Sequence, residues 1–116
     1  MPDDPLPHRF RPLLAGIVER IVAADYAGLT RDYTLYADDP AYDLGLWARD
    51  YPATFVPLPE QAWQHADVYR SDAGPWHVEL PLWSQEEGRS DLTLEVEIVE
   101  TAAAPPKITI RNLHVP

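Results

Sequence analysis

The feature that most restricts the fold is a strict alternation of apolar and other residues in the last third of the chain. In three stretches, 76–83, 92–99 and 108–111, every second residue is apolar and the residues between are mostly polar or charged. Such period-two patterns predict β-strands with one buried and one solvated face, which form antiparallel sheets. After Arg111 the apolar positions shift by one residue to Leu113 and Val115, which predicts a bulge near Asn112.

The N-terminal third instead shows a helical period. Its apolar residues recur three and four positions apart, with Glu19 and Arg20 on the other side; they are Leu13, Leu14, Ile17, Val18, Ile21 and Val22. This stripe predicts a helix over Pro12–Asp25 that is buried on one side. Pro12 is tolerated in the first turn, and Gly28 is the expected C-terminal signal.

Shorter elements are expected between these two regions. A second helix is expected to start at Asp39-Pro40 and to end at Pro52. Short strands are expected at Thr54–Val56 and Asp67–Arg70. One helical turn is expected at 59–64. Residues 1–8 are expected to form an extended tail, and residues 9–116 a single α+β domain. In that domain the N-terminal helices pack on one face of a mostly antiparallel, curved sheet of 4–5 strands.

Composition excludes several functions. Nineteen acidic and nine basic residues give a net charge of −10, a field that repels nucleic acid and anionic membranes. No segment has the roughly 18 apolar residues that a membrane span needs. Cysteine is absent, which excludes thiol nucleophiles and cysteine-based zinc sites and agrees with a cytoplasmic protein. A basic protein remains a compatible partner.

The C-terminal hairpin carries a resemblance to a known family. Residues 80–94, LPLWSQEEGRSDLTL, and 110–115, IRNLHV, are similar to an uncharacterised bacterial family of domains of unknown function. That family shares a PLW-x-x-EEGRSDLTL hairpin and a terminal LHV, and the resemblance implies no activity. At the level of the fold, the order of helices and curved sheet is similar to the cone-shaped cystatin and nuclear transport factor 2 folds.

The segment Ser84–Gly88 allows two interpretations. Ser84 and Glu87 are spaced as a capping box and Gly88 as a terminator, which predicts one capped turn that joins two strands. Alternatively, Glu86, Glu87 and Asp91 would be oxygen ligands of a cation. Calcium loops need more ligands at defined spacing, so the sequence favours the capped turn.

Trp83 is the main candidate for a binding residue. Alternation places it on the face opposite Leu80 and Leu82, and we expect Glu86, Glu87, Arg89 and Asp91 beside it. Tryptophan and arginine are enriched at interaction hot spots, so these residues predict a binding patch. The alternative is that Trp83 is covered by its own chain.

No catalytic constellation or cofactor motif is visible in the sequence. The four histidines, His8, His65, His77 and His114, have no metal-binding spacing, and we therefore expect no metal, no cofactor and no catalytic residue. Six aromatic residues between 33 and 55 form either part of the core or the lining of a ligand pocket.

Two functions are consistent with these observations. The first, which we favour, is a non-enzymatic interaction protein of the inhibitor or immunity type, whose partner is a basic protein or a second copy of the chain. The second is a cone-shaped domain that binds or converts a small molecule in an aromatic-lined pocket, with an acidic residue or His77 acting there.

Overall fold

The computed structural model of the protein describes residues 6–35, 53–70, 72, 74–102 and 104–114. The helical elements are a 3₁₀ helix at His8–Phe10, α1 at Arg11–Val22, α2 at Tyr26–Asp32 and a second 3₁₀ helix at Glu60–His65. The strands are β1 (Thr34–Leu35), β2 (Phe55–Val56), β3 (Asp67–Arg70), β4 (Trp76–Ser84), β5 (Gly88–Thr101) and β6 (Ala104–His114).

These strands form one sheet in the order β1-β6-β5-β4-β2, and β3 also pairs with β4. The consecutive strands β3 to β6 are antiparallel, and β2 extends this body by a short antiparallel pairing with β4. The two-residue β1 adds a parallel pairing at the edge of β6. The predicted α+β class and the mostly antiparallel sheet are confirmed.

Helix α1 buries the predicted stripe. Leu14, Ile17, Val18 and Ile21 are at most 2% exposed, and they belong to the same core cluster as the inward-facing residues of β4, β5 and β6. Pro12 lies in the first turn, as expected. The one-sided apolar period therefore predicted both the helix and the face that it buries.

The predicted end of this helix is wrong by a few residues. Helix α1 ends at Val22, and Ala24 then adopts a left-handed conformation with φ 57°. The Asp25 carboxylate accepts a hydrogen bond from the Gly28 backbone N–H at 3.0 Å and so caps α2. Gly28 consequently lies inside a second helix and does not end the first, because Asp25 begins a new helix.

The C-terminal strands agree with the period-two pattern, including its change of phase. Glu95 pairs with Asn112, and Val96 pairs with Ile110, so Arg111 is an extra residue in β6. This bulge turns Leu113 toward the core, where it is 0% exposed opposite Leu94. The predicted bulge near Asn112 is confirmed.

The remaining predictions have mixed outcomes. The strands at 54–56 and 67–70 are confirmed as β2 and β3, and the turn at 59–64 is the second 3₁₀ helix. The helix expected after Pro40 lies outside the described residues, as do residues 1–5 of the expected tail. Leu6, at the end of that tail, is buried against the core. Within the described part of the chain, no helix is long and apolar enough to cross a bilayer.

Candidate functional site

The β4–β5 hairpin ends in a tight turn at residues 85–87. The Ser84 hydroxyl accepts a hydrogen bond from the Glu87 backbone N–H at 3.1 Å, and Gly88 has φ 76°, a conformation that glycine adopts without steric cost. The predicted cap by Ser84 and the terminating role of Gly88 are thus confirmed.

Glu86 fixes the turn to the segment that precedes β2. Its two carboxylate oxygens accept from the Thr54 backbone N–H at 2.6 and 2.9 Å. The Gln85 backbone N–H in turn donates to the Thr54 carbonyl at 2.8 Å. One of the sequence-predicted binding residues therefore also has a structural task, which is to hold the tip of the hairpin against the neighbouring chain.

Trp83 lies on the sheet face opposite Leu80 and Leu82, as its position in the alternation predicted. A register shift separates Pro81 from Trp83, and β4 advances two residues there while β5 advances four. The two additional residues of β5 are an even number. The side chains of each strand therefore point to the same faces before and after the shift. Leu82 is therefore buried, whereas Trp83 is half-buried.

His65 completes the surroundings of Trp83 and was not predicted from the sequence. The two rings lie 5.9 Å apart between centroids, at an interplanar angle of 38°. Arg89, which pairs with Trp83 across the hairpin, donates from Nη1 to His65 Nδ1 at 3.1 Å. Since arginine only donates hydrogen bonds, His65 Nδ1 is the acceptor in this contact.

Charged residues follow Trp83 along the hairpin, and one of them, Arg89, contacts His65. Glu86, Glu87, Arg89 and Asp91 are all exposed, and they follow Trp83 around the turn and into β5. We refer to these six residues as the tip surface. The five sequence-predicted residues lie at the end of one hairpin, and we call the four charged ones the rim of the tip surface.

A second surface covers the outward side of the sheet. The outward residues of β3, β4 and β5 include three carboxylates at directly paired positions, since Asp67 pairs with Glu79 and Glu79 pairs with Glu95. We call this arrangement the acidic row. Like charges at directly opposite positions destabilise a sheet, so the row is an unfavourable arrangement for the isolated fold.

Tyr69 and His77 lie beside the acidic row. They are paired across β3 and β4, and their rings stack with centroids 4.9 Å apart at 12°. Tyr69 is 59% exposed. His77 Nδ1 lies 4.0 Å from a carboxylate oxygen of Glu97, the outward residue that pairs with it on β5.

Arg111 is the cation that the β6 bulge adds to this face. Its guanidinium lies 3.2 Å from a Glu97 oxygen and 3.6 Å from a Glu95 oxygen. Asp67 and Glu79 have no cation within ion-pair distance among the described residues. Arg111 therefore compensates one end of the acidic row and leaves the other end negative.

A shallow cleft lies between the helices and β6. It measures about 210 Å³ and is lined by Leu13, Asp32, Tyr33, Pro106, Lys107 and Ile108. Of the six aromatic residues between 33 and 55, Tyr33 and Phe55 are described, and both pack against the core. Tyr36, Tyr42, Trp47 and Tyr51 lie outside the described residues.

No metal centre is formed by the part of the chain that the structure describes. No group of three His, Asp or Glu side chains there is arranged to hold an ion. Glu86, Glu87 and Asp91, the alternative cation ligands, lie around the hairpin tip, where the Glu86 carboxylate is bound to a backbone amide.

Comparison with known proteins identifies a family. A family model described as "Domain of unknown function (DUF7668)" matches residues 18–116. No curated protein and no solved structure matches the chain significantly. The matched range contains the tip surface, the acidic row and most of the hydrophobic core.

Proposed function

We propose that this chain, which belongs to the DUF7668 family of domains of unknown function, is a non-enzymatic cytoplasmic interaction module of the inhibitor or immunity type. In this proposal the tip surface binds a basic protein. The single observation that carries the proposal is the half-buried Trp83 at the end of a hairpin whose turn and following strand carry four exposed charged side chains.

The composition of the tip surface supports a role in protein binding because it resembles that of known protein–protein interfaces. Interfaces have an apolar, often aromatic centre with a polar rim, and tryptophan and arginine are over-represented among the residues that contribute most affinity. Trp83 and the His65 ring supply the centre, and Arg89 and Asp91 belong to the rim. The hydrogen bonds from Thr54 to Glu86 hold the tip in place, which lowers the entropic cost of binding.

Charge supports a basic partner over a second copy of the chain. Three of the four charged rim residues are acidic, and the whole chain has a net charge of −10. Two copies would therefore repel each other, whereas a basic protein would be attracted and would associate faster. Among the described residues, the cleft beside Tyr33 gives the small-molecule alternative little support, because it is smaller than the roughly 300–1,000 Å³ of most ligand pockets.

A charge reversal with a matched control tests this proposal. Asp91→Arg changes the rim, and Glu19→Arg makes the same change on the exposed side of α1. Proteins retained by the immobilised chain would be identified by mass spectrometry and purified, and their affinity would be measured by calorimetry with each variant. The proposal expects a basic protein whose affinity falls at least about tenfold, or ~1.4 kcal/mol, with Asp91→Arg and changes little with Glu19→Arg.

Two results would contradict the proposal. Equal loss of affinity with Asp91→Arg and Glu19→Arg would mean attraction by net charge without a defined surface. Sedimentation that shows a dimer of the wild type, dissociated by Asp91→Arg, would make a second copy the occupant of the tip surface.

A further inference from the structure

We propose that the partner binds as an extended, arginine-containing segment along the outward side of β4, from the tip surface to the stacked Tyr69 and His77. This inference rests on the proposed function and specifies the chemistry of its partner. It starts from the observation that β4 connects the tip surface to the acidic row and the Tyr69–His77 pair. The successive outward residues of this strand are Trp83, Pro81, Glu79 and His77.

The dimensions suit an extended segment. Residues in a strand advance by about 3.3 Å each, so the outward side chains from Trp83 to His77 span on the order of 20 Å. Each end of this line has an aromatic ring beside a histidine ring, Trp83 with His65 and Tyr69 with His77. The acidic row crosses the line at Glu79, between the two ring pairs.

The acidic row determines the charge of the segment. Glu79 has a carboxylate directly opposite on each neighbouring strand, Asp67 on β3 and Glu95 on β5. Arg111 lies near Glu95 and Glu97 but does not reach Glu79. A cation from a partner placed between Asp67 and Glu79 would relieve the repulsion between them, which the fold on its own does not.

The combination of flat rings and carboxylates favours arginine over lysine. A guanidinium is planar, stacks on aromatic rings and binds carboxylates through two parallel hydrogen bonds, whereas an ammonium is a compact and strongly hydrated charge. An extended chain directs alternate side chains to the same side. The expected partner segment therefore has arginines at every second residue, placed over Tyr69, over Glu79 and near Trp83.

The described helices leave this face accessible. Helices α1 and α2 and the first 3₁₀ helix contribute buried residues to the core on the other side of the sheet. The second 3₁₀ helix contributes Trp63 to that core, and its last residue, His65, reaches the outward face at the Trp83 end of the line. Tyr69 has more than half of its surface exposed. An extended segment can therefore approach β4 from the outward side without displacing any described helix.

Binding of short labelled peptides to the full chain tests the inference. One peptide alternates arginine with serine, and a second has lysine at each arginine position. The affinity of each peptide is measured by fluorescence anisotropy at physiological salt. The double variant Asp67→Asn/Glu79→Gln removes two charges from the face. Glu19→Gln/Asp72→Asn removes two exposed charges that belong neither to the acidic row nor to the tip surface and is the matched control.

The arginine peptide is expected to bind more tightly than the lysine peptide. Its affinity is expected to fall about tenfold with Asp67→Asn/Glu79→Gln, and by less than about twofold with the control. Tyr69→Ala is expected to weaken binding, and Tyr69→Phe to retain it, because the ring and not the hydroxyl stacks on the guanidinium. Circular dichroism confirms that each variant is folded before its affinity is compared.

Several results would overturn the inference. Equal losses with the two double variants, or equal affinities for the arginine and lysine peptides, would indicate attraction by net charge alone. The captured partner then separates this inference from the proposed function. If Asp91→Arg weakens that partner and Asp67→Asn/Glu79→Gln does not, the tip surface binds without the acidic row, and only this inference fails. If neither change weakens it, both proposals fail.

Discussion

Arg9 and Glu100 lie 91 residues apart in the chain and form an ion pair with two parallel hydrogen bonds. The Arg9 guanidinium donates from Nε to one Glu100 oxygen at 2.8 Å and from Nη2 to the other at 2.9 Å. Trp76 Nε1 donates to the same carboxylate at 3.1 Å. Glu100 thereby connects the first 3₁₀ helix to the start of β4 and the end of β5.

This pair makes stability depend on pH. The hydrogen bonds from Arg9, with a smaller contribution from Trp76, lower the pKa of Glu100 below its usual value. A carboxyl whose pKa is lower in the folded protein stabilises the fold above the unfolded pKa, and this stabilisation is lost as the pH falls through the folded pKa. Glu100→Gln should therefore be less stable than the wild type at neutral pH and approach it in acid.

Urea unfolding at neutral and acidic pH measures this difference. Arg9→Gln removes the partner that lowers the pKa most and should show the same convergence in acid. A difference between the wild type and Glu100→Gln that stays constant across the acidic range would show that the ion pair does not contribute to folding through this carboxyl.

The core position of α1 gives a second prediction. Ile17 is 0% exposed within the cluster that joins α1 to the sheet. Truncation to alanine removes buried methyl groups and leaves a cavity, so Ile17→Ala should lower the free energy of unfolding by about 2–5 kcal/mol. Glu19→Ala, on the exposed side of the same helix, should change it by about 0.5 kcal/mol or less. Similar melting temperatures for the two variants would refute the packing of α1.

Alanine substitution at two glycines should have opposite effects on the stability of the protein. Gly88 has φ 76°, which costs an alanine about 1–2 kcal/mol, so Gly88→Ala should destabilise the hairpin. Gly16 lies inside α1, and a Cβ there would meet the Tyr33 hydroxyl at 3.6 Å, an ordinary contact distance. Gly16→Ala should therefore stabilise the protein by roughly 0.5–1 kcal/mol.

Chemical denaturation of both glycine variants provides the check. A stabilising Gly88→Ala would mean that the turn at 85–87 tolerates another backbone conformation. A destabilising Gly16→Ala would mean that the space beside Tyr33 is tighter than the structure indicates.

The elements with a one-sided apolar period could be predicted from the sequence, and those without one could not. Helix α1 buries four residues at helical spacing, and the phase change after Arg111 placed the β6 bulge near Asn112. Helix α2 has seven residues and buries only Gly28 and Leu29. Two adjacent buried residues give no period, so the main local signal of α2 is its capping residue Asp25, which we predicted to be the end of α1.

The candidate site also contains features that could be predicted from the sequence and features that could not. The hairpin residues lie close together in sequence, so the turn and its charged rim could be predicted from local spacing. His65 is 24 residues from Arg89 and reaches Trp83 only through the position of the second 3₁₀ helix. The acidic row depends on strand order and register, because Asp67, Glu79 and Glu95 become neighbours only once β3, β4 and β5 are paired.

The two tryptophans near the second 3₁₀ helix provide the last prediction, which separates an interface residue from a core residue. Trp63 is 6% exposed within the hydrophobic core, and the Arg11 guanidinium lies 5.5 Å from its ring centroid. Trp83 is half-buried, and its described ring contact is with His65. Trp63→Ala should therefore lower the free energy of unfolding by about 3–5 kcal/mol, as large aromatic truncations in cores do.

Trp83→Ala should cost less, about 1–2 kcal/mol, because only part of its side chain is withdrawn from water. Urea unfolding of the two variants gives both values, and Trp83→Ala should still weaken the binding of the captured partner. Equal losses of stability would make Trp83 a structural residue of the hairpin. A stable Trp83→Ala protein that keeps full affinity for the partner would remove the aromatic centre from the proposed interface, since the residue would then be needed neither for folding nor for binding.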